Sequence, residues 1–464
     1  MGTAPDLPAD APRILVLGPS SSWPDLVAGH LQQLLSASAA YPHAKVTSQL
    51  TDTTGGSSLL GYWYSPTGRD ARRVQFDGAF TWVILLDEAA VGLSWPELSF
   101  EGVRAVACQA RAQGARPLVL MTWSASESEA EARAELAYRV GNGTGTPVIP
   151  TVCGAKLDPG GVGGNVPAGP DQAGTFVAAA SLFASLSGQS AAGTSYLASG
   201  FEQSQQAALI AAADQAIAKH SAQSHYQTPF ASAVRLETIP AEKTMTFMDS
   251  GTSSEAIWQD RMNEILPKLG LTPAATAVGA CNETKVFDAT CLGNATSNFA
   301  MAQYDLLFAR GYSVSADAIA AAGSQQDLTV QVWDRHFDSL PMDGDAAIDA
   351  IEARSLYGAS QARQYGLAWV PYHLLFAKLK WARPALQLTS DGTHSTYPVG
   401  YGLAAMSLIS RTSRTIPITG LDEDTSAAVK LADESIRQLA WLSQWSTFIP
   451  DDPATRPSLL GTGH

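Results

Sequence analysis

Short apolar runs recur along the chain and are separated by longer segments with apolar residues at helical spacing. The runs WVILL (82–86) and PLVLM (117–121) are typical of buried strands, and they are far shorter than the roughly 20 residues that a membrane-spanning helix needs. Similar runs are TPVIP (146–150) and LAWVP (367–371). Strands that alternate with helical segments predict parallel sheets covered by helices on both faces. We therefore predict an α/β protein without a membrane span.

The same series of elements occurs twice, once in each half of the chain. Segment 13–35, an apolar strand followed by a serine-rich turn and a helix, resembles segment 244–266. Three further pairs follow in the same order: 54–63 with 292–301, 82–88 with 328–336, and the Ala-rich helices that open with Gly, 174–182 with 400–408. We predict two domains of one fold, 1–235 and 236–464. The alternative is that two unrelated α/β domains look alike because they share a class.

Composition narrows the classes of partner. With 29 Lys and Arg against 43 Asp and Glu, the 464-residue chain has a formal net charge of −14, and its basic residues are scattered. This charge argues against nucleic acid and anionic membranes as partners. The chain contains no G-x-x-x-x-G-K-[ST], no H-E-x-x-H and no paired C-x-x-C, so we expect neither a cofactor nor a metal.

Features outside the apolar pattern bear on localisation. Residues 1–13 are polar and Pro-rich, so we expect no signal peptide in this sequence. The short polar loop CNETKVFDATC has Cys281 and Cys291 at its ends, and a disulfide could close it. This loop favours an exported protein, which would be secreted, periplasmic or held at the cell surface.

Two serines follow the first predicted strand of the two halves, Ser20 in GPSSS and Ser250 in MDSGT. In a parallel sheet this turn lies at the carboxyl edge, where ligands bind. A serine becomes a nucleophile only when a base takes its proton and a third group orients that base. Asp391 and His394, in SDGTHSTYPVGYGLAA (390–405), can supply both groups for Ser250. The alternative is structural: the aspartate caps the following helix and the histidine is only a neighbour.

These segments resemble the SGNH or GDSL hydrolase superfamily, whose members are esterases, lipases and carbohydrate deacetylases on a flavodoxin-like sheet. MDSGT (248–252) is similar to the family's first block, and D-x-x-H followed by a glycine is its last block. The resemblance implies a fold of two tandem flavodoxin-like, three-layer α/β/α domains with parallel sheets. It implies a catalytic triad of Ser250, His394 and Asp391. It also implies an oxyanion hole formed by the N–H of Ser250, by Gly293 and by Gln331.

The first half resembles the same family over nearly its whole length but lacks the last block. Alignment of the two halves and the family's spacing set Ala168 or Gly169 at the histidine position and Val166 or Asn165 at the aspartate position. Leu86 is aligned with Gln331 of the second half. Ser20 therefore has no base and marks the degenerate site of a domain that has lost catalysis.

Two functions remain open from the sequence. We expect a serine esterase of SGNH type that removes acetyl or other short acyl groups from a carbohydrate, the carbohydrate part being implied by the resemblance alone. The rival is a non-catalytic structural or glycan-binding component of a cell surface or extracellular assembly. The expected partner is a carbohydrate ester or a glycan, and a homo-oligomer or surface assembly is left open.

Overall fold

The computed structural model describes residues 11–39, 41–51, 58–64, 80–123, 127–151, 170–222, 234–238, 247–249, 260–272, 277–278, 306–310, 329–333, 351–392 and 394–444. Within this part of the chain, residues 11–63 and 80–222 form one compact unit, and residues 234–444 form a second. We call them the first and the second unit.

The first unit contains a parallel sheet of five strands in the order β2-β1-β3-β4-β5. Its strands are β1 (Arg13–Gly18), β2 (Lys45–Leu50), β3 (Trp82–Leu85), β4 (Arg116–Leu120) and β5 (Val148–Ile149). Five of the six residues of β1 are buried, because a central strand of a parallel sheet is covered on both faces. This strand order is that of flavodoxin-like sheets.

The helices of the first unit lie between these strands and after the last of them. They are α1 (Pro24–Ser36), α2 (Leu59–Tyr64), α3 (Ala89–Ser94), α4 (Pro96–Ala112), α5 (Glu127–Thr144), α6 (Pro170–Ser187) and α7 (Gln203–Ala222). Val27 and Leu31 of α1 and Phe176 and Val177 of α6 are buried in one apolar core with Ile14 of β1. The helix after the first strand and the helix after the last strand therefore pack together.

The second unit also contains a parallel sheet of five strands, in the order β10-β9-β8-β6-β7. Its strands are β6 (Phe247–Asp249), β7 (Ala277–Val278), β8 (Leu306–Arg310), β9 (Thr329–Trp333) and β10 (Ala368–Val370). Its helices are α8 (Ile351–Gln364), α9 (Tyr372–Ala382), α10 (Tyr397–Thr412) and α11 (Glu423–Gln444), and residues 260–265 are helical as well. Helices α10 and α11 approach closely at Gly402, where an added Cβ would lie 2.9 Å from Cβ of Ala428.

The predicted α/β class with parallel strands is confirmed, and one of the aligned repeat pairs is wrong. WVILL forms β3, the third strand of its sheet in chain order, whereas LTVQVW forms β9, the fourth strand of the other sheet. The strand of the second unit that corresponds to β3 is β8 (LLFAR), which was not among the apolar segments used to align the two halves. The counterpart of Gln331 therefore lies in β4 and not at Leu86, which follows β3.

Two helix starts also differ from the expectation. Helix α6 begins at Pro170 and α10 at Tyr397, so Gly174 and Gly400 are the fifth and the fourth residue of their helices and do not open them. Proline is favoured in a first turn because its missing N–H is not needed there. Gly174 is instead required by packing, since an added Cβ would lie 2.1 Å from Nε1 of Trp123.

None of the helices in the described ranges is long and apolar enough to cross a membrane. That the two units are copies of one SGNH-type domain, divided at residue 235, stays a prediction.

Candidate active site

A tight turn between α9 and α10 carries Asp391 and His394. Its two ends are joined by an antiparallel bridge between Thr389 and Ser395. Inside the bridge, the backbone N–H of Ser390 donates to the carbonyl oxygen of His394 at 2.8 Å. The turn can close because Gly392 adopts a φ of +84°, in the left-handed region that glycine occupies without strain.

The carboxylate of Asp391 makes two hydrogen bonds to His394. Oδ1 accepts the backbone N–H of His394 at 2.8 Å, and Oδ2 lies 2.5 Å from imidazole Nδ1. Since an ionised carboxylate only accepts, Nδ1 carries the proton in this bond and Nε2 is left as the basic nitrogen of the neutral ring. The His394 side chain is 28% exposed and that of Asp391 is 53% exposed, so a molecule from solution can approach the pair. The geometry is that of a general base held in one orientation and one tautomer.

Tyr372 supports this turn from the end of the sheet. It is the first residue of α9 and follows β10 after a single residue, so it lies at the carboxyl edge. Its hydroxyl is 3.3 Å from Oγ of Ser395, the residue next to His394. The ring is buried against Phe376, with the ring centroids 4.6 Å apart. The turn is thereby joined to the strand end by a side chain that the sequence analysis did not select, because a single tyrosine forms no motif.

Strand β6 ends at the residue before the predicted nucleophile. Ser250 comes directly after Asp249, the last residue of β6, and lies outside the described residues, as does Gly293. β6 pairs with β7 on one side and with β8 on the other, so the strand order reverses at this strand. The carboxyl end of such a strand is where doubly wound sheets bind their ligands.

Gln331, the predicted oxyanion-hole residue, is the third residue of β9. It pairs in register with Phe308 of β8, which in turn pairs with Asp249. Gln331 thus lies at the level of the residue before Ser250, two strands away. Its role stays a prediction.

The corresponding edge of the first unit uses its polar groups differently. Ser20 is exposed and begins a short 3-10 turn of three serines after β1. The hydroxyl of Ser21 donates to the carboxylate of Glu88, and that of Ser22 donates to the carbonyl oxygen of Pro19 at 2.9 Å. The first bond holds the turn against the segment that follows β3, and the second lies within the turn.

The acidic residues of WVILLDE thus have structural partners in the first unit. Besides the bond of Glu88, Oδ1 of Asp87 accepts the backbone N–H of Leu59, the first residue of α2, at 3.0 Å. The positions predicted for a degenerate Asp and His block (165, 166, 168 and 169) lie outside the described residues. In the described part of the chain, no group of three His, Cys, Asp or Glu side chains is placed to hold a metal ion.

No protein-family model matches the sequence, and a search of curated proteins finds no match. Among solved structures, a DUF4886 family protein from Bacteroides uniformis is 14% identical, covers 45% of this chain and 95% of its own, and gives a TM-score of 0.34. A protein from Slackia heliotrinireducens described as a candidate SGNH hydrolase is 19% identical, covers 38% of this chain and 100% of its own, and gives a TM-score of 0.29. Both TM-scores are low, and the α/β architecture of this chain rests on its own strand order.

Proposed function

We propose that the second unit is a serine esterase of SGNH type and that the first unit is a non-catalytic copy of the same domain. The proposed substrate is an acetyl or other short acyl ester on a carbohydrate. The observation that carries the proposal is the bond of 2.5 Å between Oδ2 of Asp391 and Nδ1 of His394, on a turn closed by Gly392. A helix cap alone would need the aspartate but not its bond to the imidazole.

In the proposed reaction, Oγ of Ser250 attacks the ester carbonyl carbon while Nε2 of His394 takes the serine proton. The ester C–O bond then breaks, and the sugar oxygen leaves with that proton. Water attacks the acyl-serine, His394 takes a proton from this water, and the proton returns to Ser250 as the carboxylic acid departs. Asp391 keeps the imidazole oriented and stabilises the imidazolium in both steps.

The oxyanion of each tetrahedral intermediate needs fixed donors. We assign this role to the backbone N–H groups of Ser250 and Gly293 and to the side-chain amide of Gln331. The register of β6, β8 and β9 supports the last assignment, since Gln331 is level with Asp249.

The substrate class and the location are further parts of the proposal. The sequence resembles the branch of the SGNH superfamily that removes acyl groups from carbohydrates. Polymeric carbohydrates that carry such esters lie outside the cytoplasm. We therefore propose a secreted, periplasmic or surface location.

A serine-reactive probe tests the activity. The intact protein is incubated with a fluorophosphonate and, separately, with an aryl acetate. We expect wild type to be labelled and to turn over the ester, and we expect Ser250→Ala to lose both. Ser20→Ala is the matched control in the first unit and should keep both. An inert wild type, or labelling that survives in Ser250→Ala and disappears in Ser20→Ala, would contradict the proposal.

A further inference from the structure

A cluster of three side chains joins the helical residues 260–265 to the start of α10. The hydroxyl of Tyr397 donates to Oε2 of Glu264 at 2.7 Å. The guanidinium carbon of Arg261 lies 4.2 Å from the centroid of the Tyr397 ring, and Arg261 also forms an ion pair with Glu264. Each member thus contacts both of the others.

The contact continues one helical turn further along both segments. Nζ of Lys268 donates to the hydroxyl of Tyr401 at 2.9 Å. The ring centroids of Tyr397 and Tyr401 are 5.9 Å apart. The two segments are therefore held at two successive turns, which fixes their direction as well as their separation.

The chain positions of these residues give the cluster its significance. Residues 260–265 belong to the segment that leaves β6 through Ser250, and Tyr397 comes three residues after His394. The cluster thus joins the two segments that carry the proposed nucleophile and the proposed base.

Stability alone does not require this cluster. Tyr397 is 40% exposed and the Glu264 side chain is 38% exposed. Ion pairs at such exposed positions contribute little to folding, because solvent screens the charges and ordering the side chains costs entropy. A serine–imidazole pair, by contrast, depends steeply on distance, and a displacement of about 1 Å can lower a rate by about 100-fold.

The tyrosine hydroxyl is a donor over the whole working range of an esterase. Partial burial, followed by the hydrogen bond to the Glu264 carboxylate, raises the pKa of Tyr397 to about 12. The hydroxyl therefore keeps its proton, and the bond to Glu264 persists, at neutral and mildly alkaline pH.

We propose that Tyr397 is a positioning residue that holds the turn of Asp391 and His394 against the helical residues 260–265, which follow the proposed nucleophile in the chain, through its contacts with Glu264 and Arg261. This inference rests on the proposed esterase function and adds to it a determinant outside the triad.

The test is a kinetic comparison of Tyr397→Phe with wild type on an aryl acetate. Phenylalanine keeps the ring beside Arg261 and removes only the hydroxyl. We expect kcat to fall about 10-fold with KM within about 2-fold, and the fluorophosphonate to label Ser250 correspondingly more slowly. The melting temperature should change by no more than about 2 °C, which corresponds to less than about 1 kcal/mol.

Glu264→Gln provides a second variant of the same contact. It should also lower kcat, and the double variant with Tyr397→Phe should be no slower than the slower single variant, because both remove one interaction. The control is Tyr196→Phe in the first unit, which removes a tyrosine hydrogen bond of 2.9 Å to His30 and should leave ester turnover unchanged.

The outcomes separate this inference from the function on which it rests. An inert wild type would remove the esterase proposal, and the positioning role with it. If the wild type is active and both Tyr397→Phe and Glu264→Gln have the wild-type kcat, the positioning role alone is overturned. A loss of turnover in Tyr196→Phe as large as in Tyr397→Phe would also overturn it, because the effect would then not depend on the site.

Discussion

The two units have the same strand order but differ in how the helical segment after the first strand meets a later helix, which is α6 in the first unit and α10 in the second. In the first unit this contact is made by His30, whose ring lies edge-on to Phe176 at 5.5 Å and whose Nδ1 is 2.9 Å from the hydroxyl of Tyr196. Alignment of segments 13–35 and 244–266 sets Arg261 at the position of His30. Arg261 makes the charged contact with Tyr397 and Glu264 instead.

The difference shows what the fold needs and what it does not. An apolar contact between these helices is enough for the first unit, where Val27, Leu31 and Phe176 are fully buried. The exposed charged cluster of the second unit is therefore an addition to a fold that can form without it. It occurs in the unit that also has the Asp391–His394 pair.

The carboxylates at the two sheet edges also differ in the groups to which they are hydrogen-bonded. In the first unit, Glu88 accepts a hydrogen bond from a serine hydroxyl and Asp87 accepts one from a backbone N–H. In the second unit, Asp391 binds an imidazole that can take up and return a proton. The first arrangement stabilises a turn, and the second is also suited to chemistry.

The largest expected effect comes from changing the carboxylate in each unit. Asp391→Asn replaces an acceptor with an amide that can donate to Nδ1, which favours the imidazole tautomer with its proton on Nε2. We expect kcat for an aryl acetate to fall by about 10³- to 10⁴-fold, since His394 can then no longer accept the serine proton. Glu88→Gln removes the hydrogen-bonded carboxylate of the first unit and should leave kcat unchanged. Equal losses in the two variants would end the distinction between the units.

A smaller effect is expected from strain in the turn that holds the pair. Gly392→Ala places a Cβ on a residue with a φ of +84°, at a cost of about 1–2 kcal/mol that local movement of the backbone relieves. This movement displaces Asp391 from His394, and we expect kcat to fall about 10-fold. The measurement is steady-state hydrolysis of an aryl acetate together with a melting curve.

Gly366→Ala is the control for strain within the same unit. Gly366 has a φ of +67°, and an added Cβ would meet no atom within 4 Å. The free energy of unfolding of Gly366→Ala should fall by about as much as that of Gly392→Ala, while its kcat should stay at the wild-type value. A loss of kcat in Gly366→Ala would mean that general destabilisation, and not the geometry of the turn, explains both variants.

The apolar pattern predicted the strands well where burial is continuous. WVILL, PLVLM and TPVIP are strands of one sheet, since a parallel sheet buries both faces of its strands. LLFAR was missed, and for that reason LTVQVW was aligned with the wrong strand. The apolar residues of LLFAR end at an arginine, whereas the hydrogen-bonded order of the sheet identifies the position of this strand directly.

The candidate site was predictable only as far as its residues form a local motif. Asp391 and His394 are three residues apart, so one turn can bring them together and the sequence can indicate the pair. Tyr397 and Glu264 are 133 residues apart, and their contact depends on the packing of two helices. Single tyrosines and glutamates are common on surfaces, so sequence alone gives no reason to select these two.

The smallest expected effect concerns pH and the contact at His30. Burial lowers the pKa of His30 below its ordinary value of 6.5. As pH falls below about 6.5, the unfolded chain takes up a proton that the folded first unit does not, so the stability of the contact decreases until the folded pKa is reached. We expect hydrogen exchange in α1 and α6 to show less protection at pH 5 than at pH 7.5, after correction for the intrinsic exchange rates.

His30→Gln keeps a polar side chain at this position and removes the titration, so its protection should depend less on pH. The aligned position of the second unit holds Arg261 and not a histidine, so residues 260–265 should not show this loss of protection. If His30→Gln loses as much protection on acidification as wild type does, His30 is not the cause. The two helix contacts would then differ in composition but not in their response to acid.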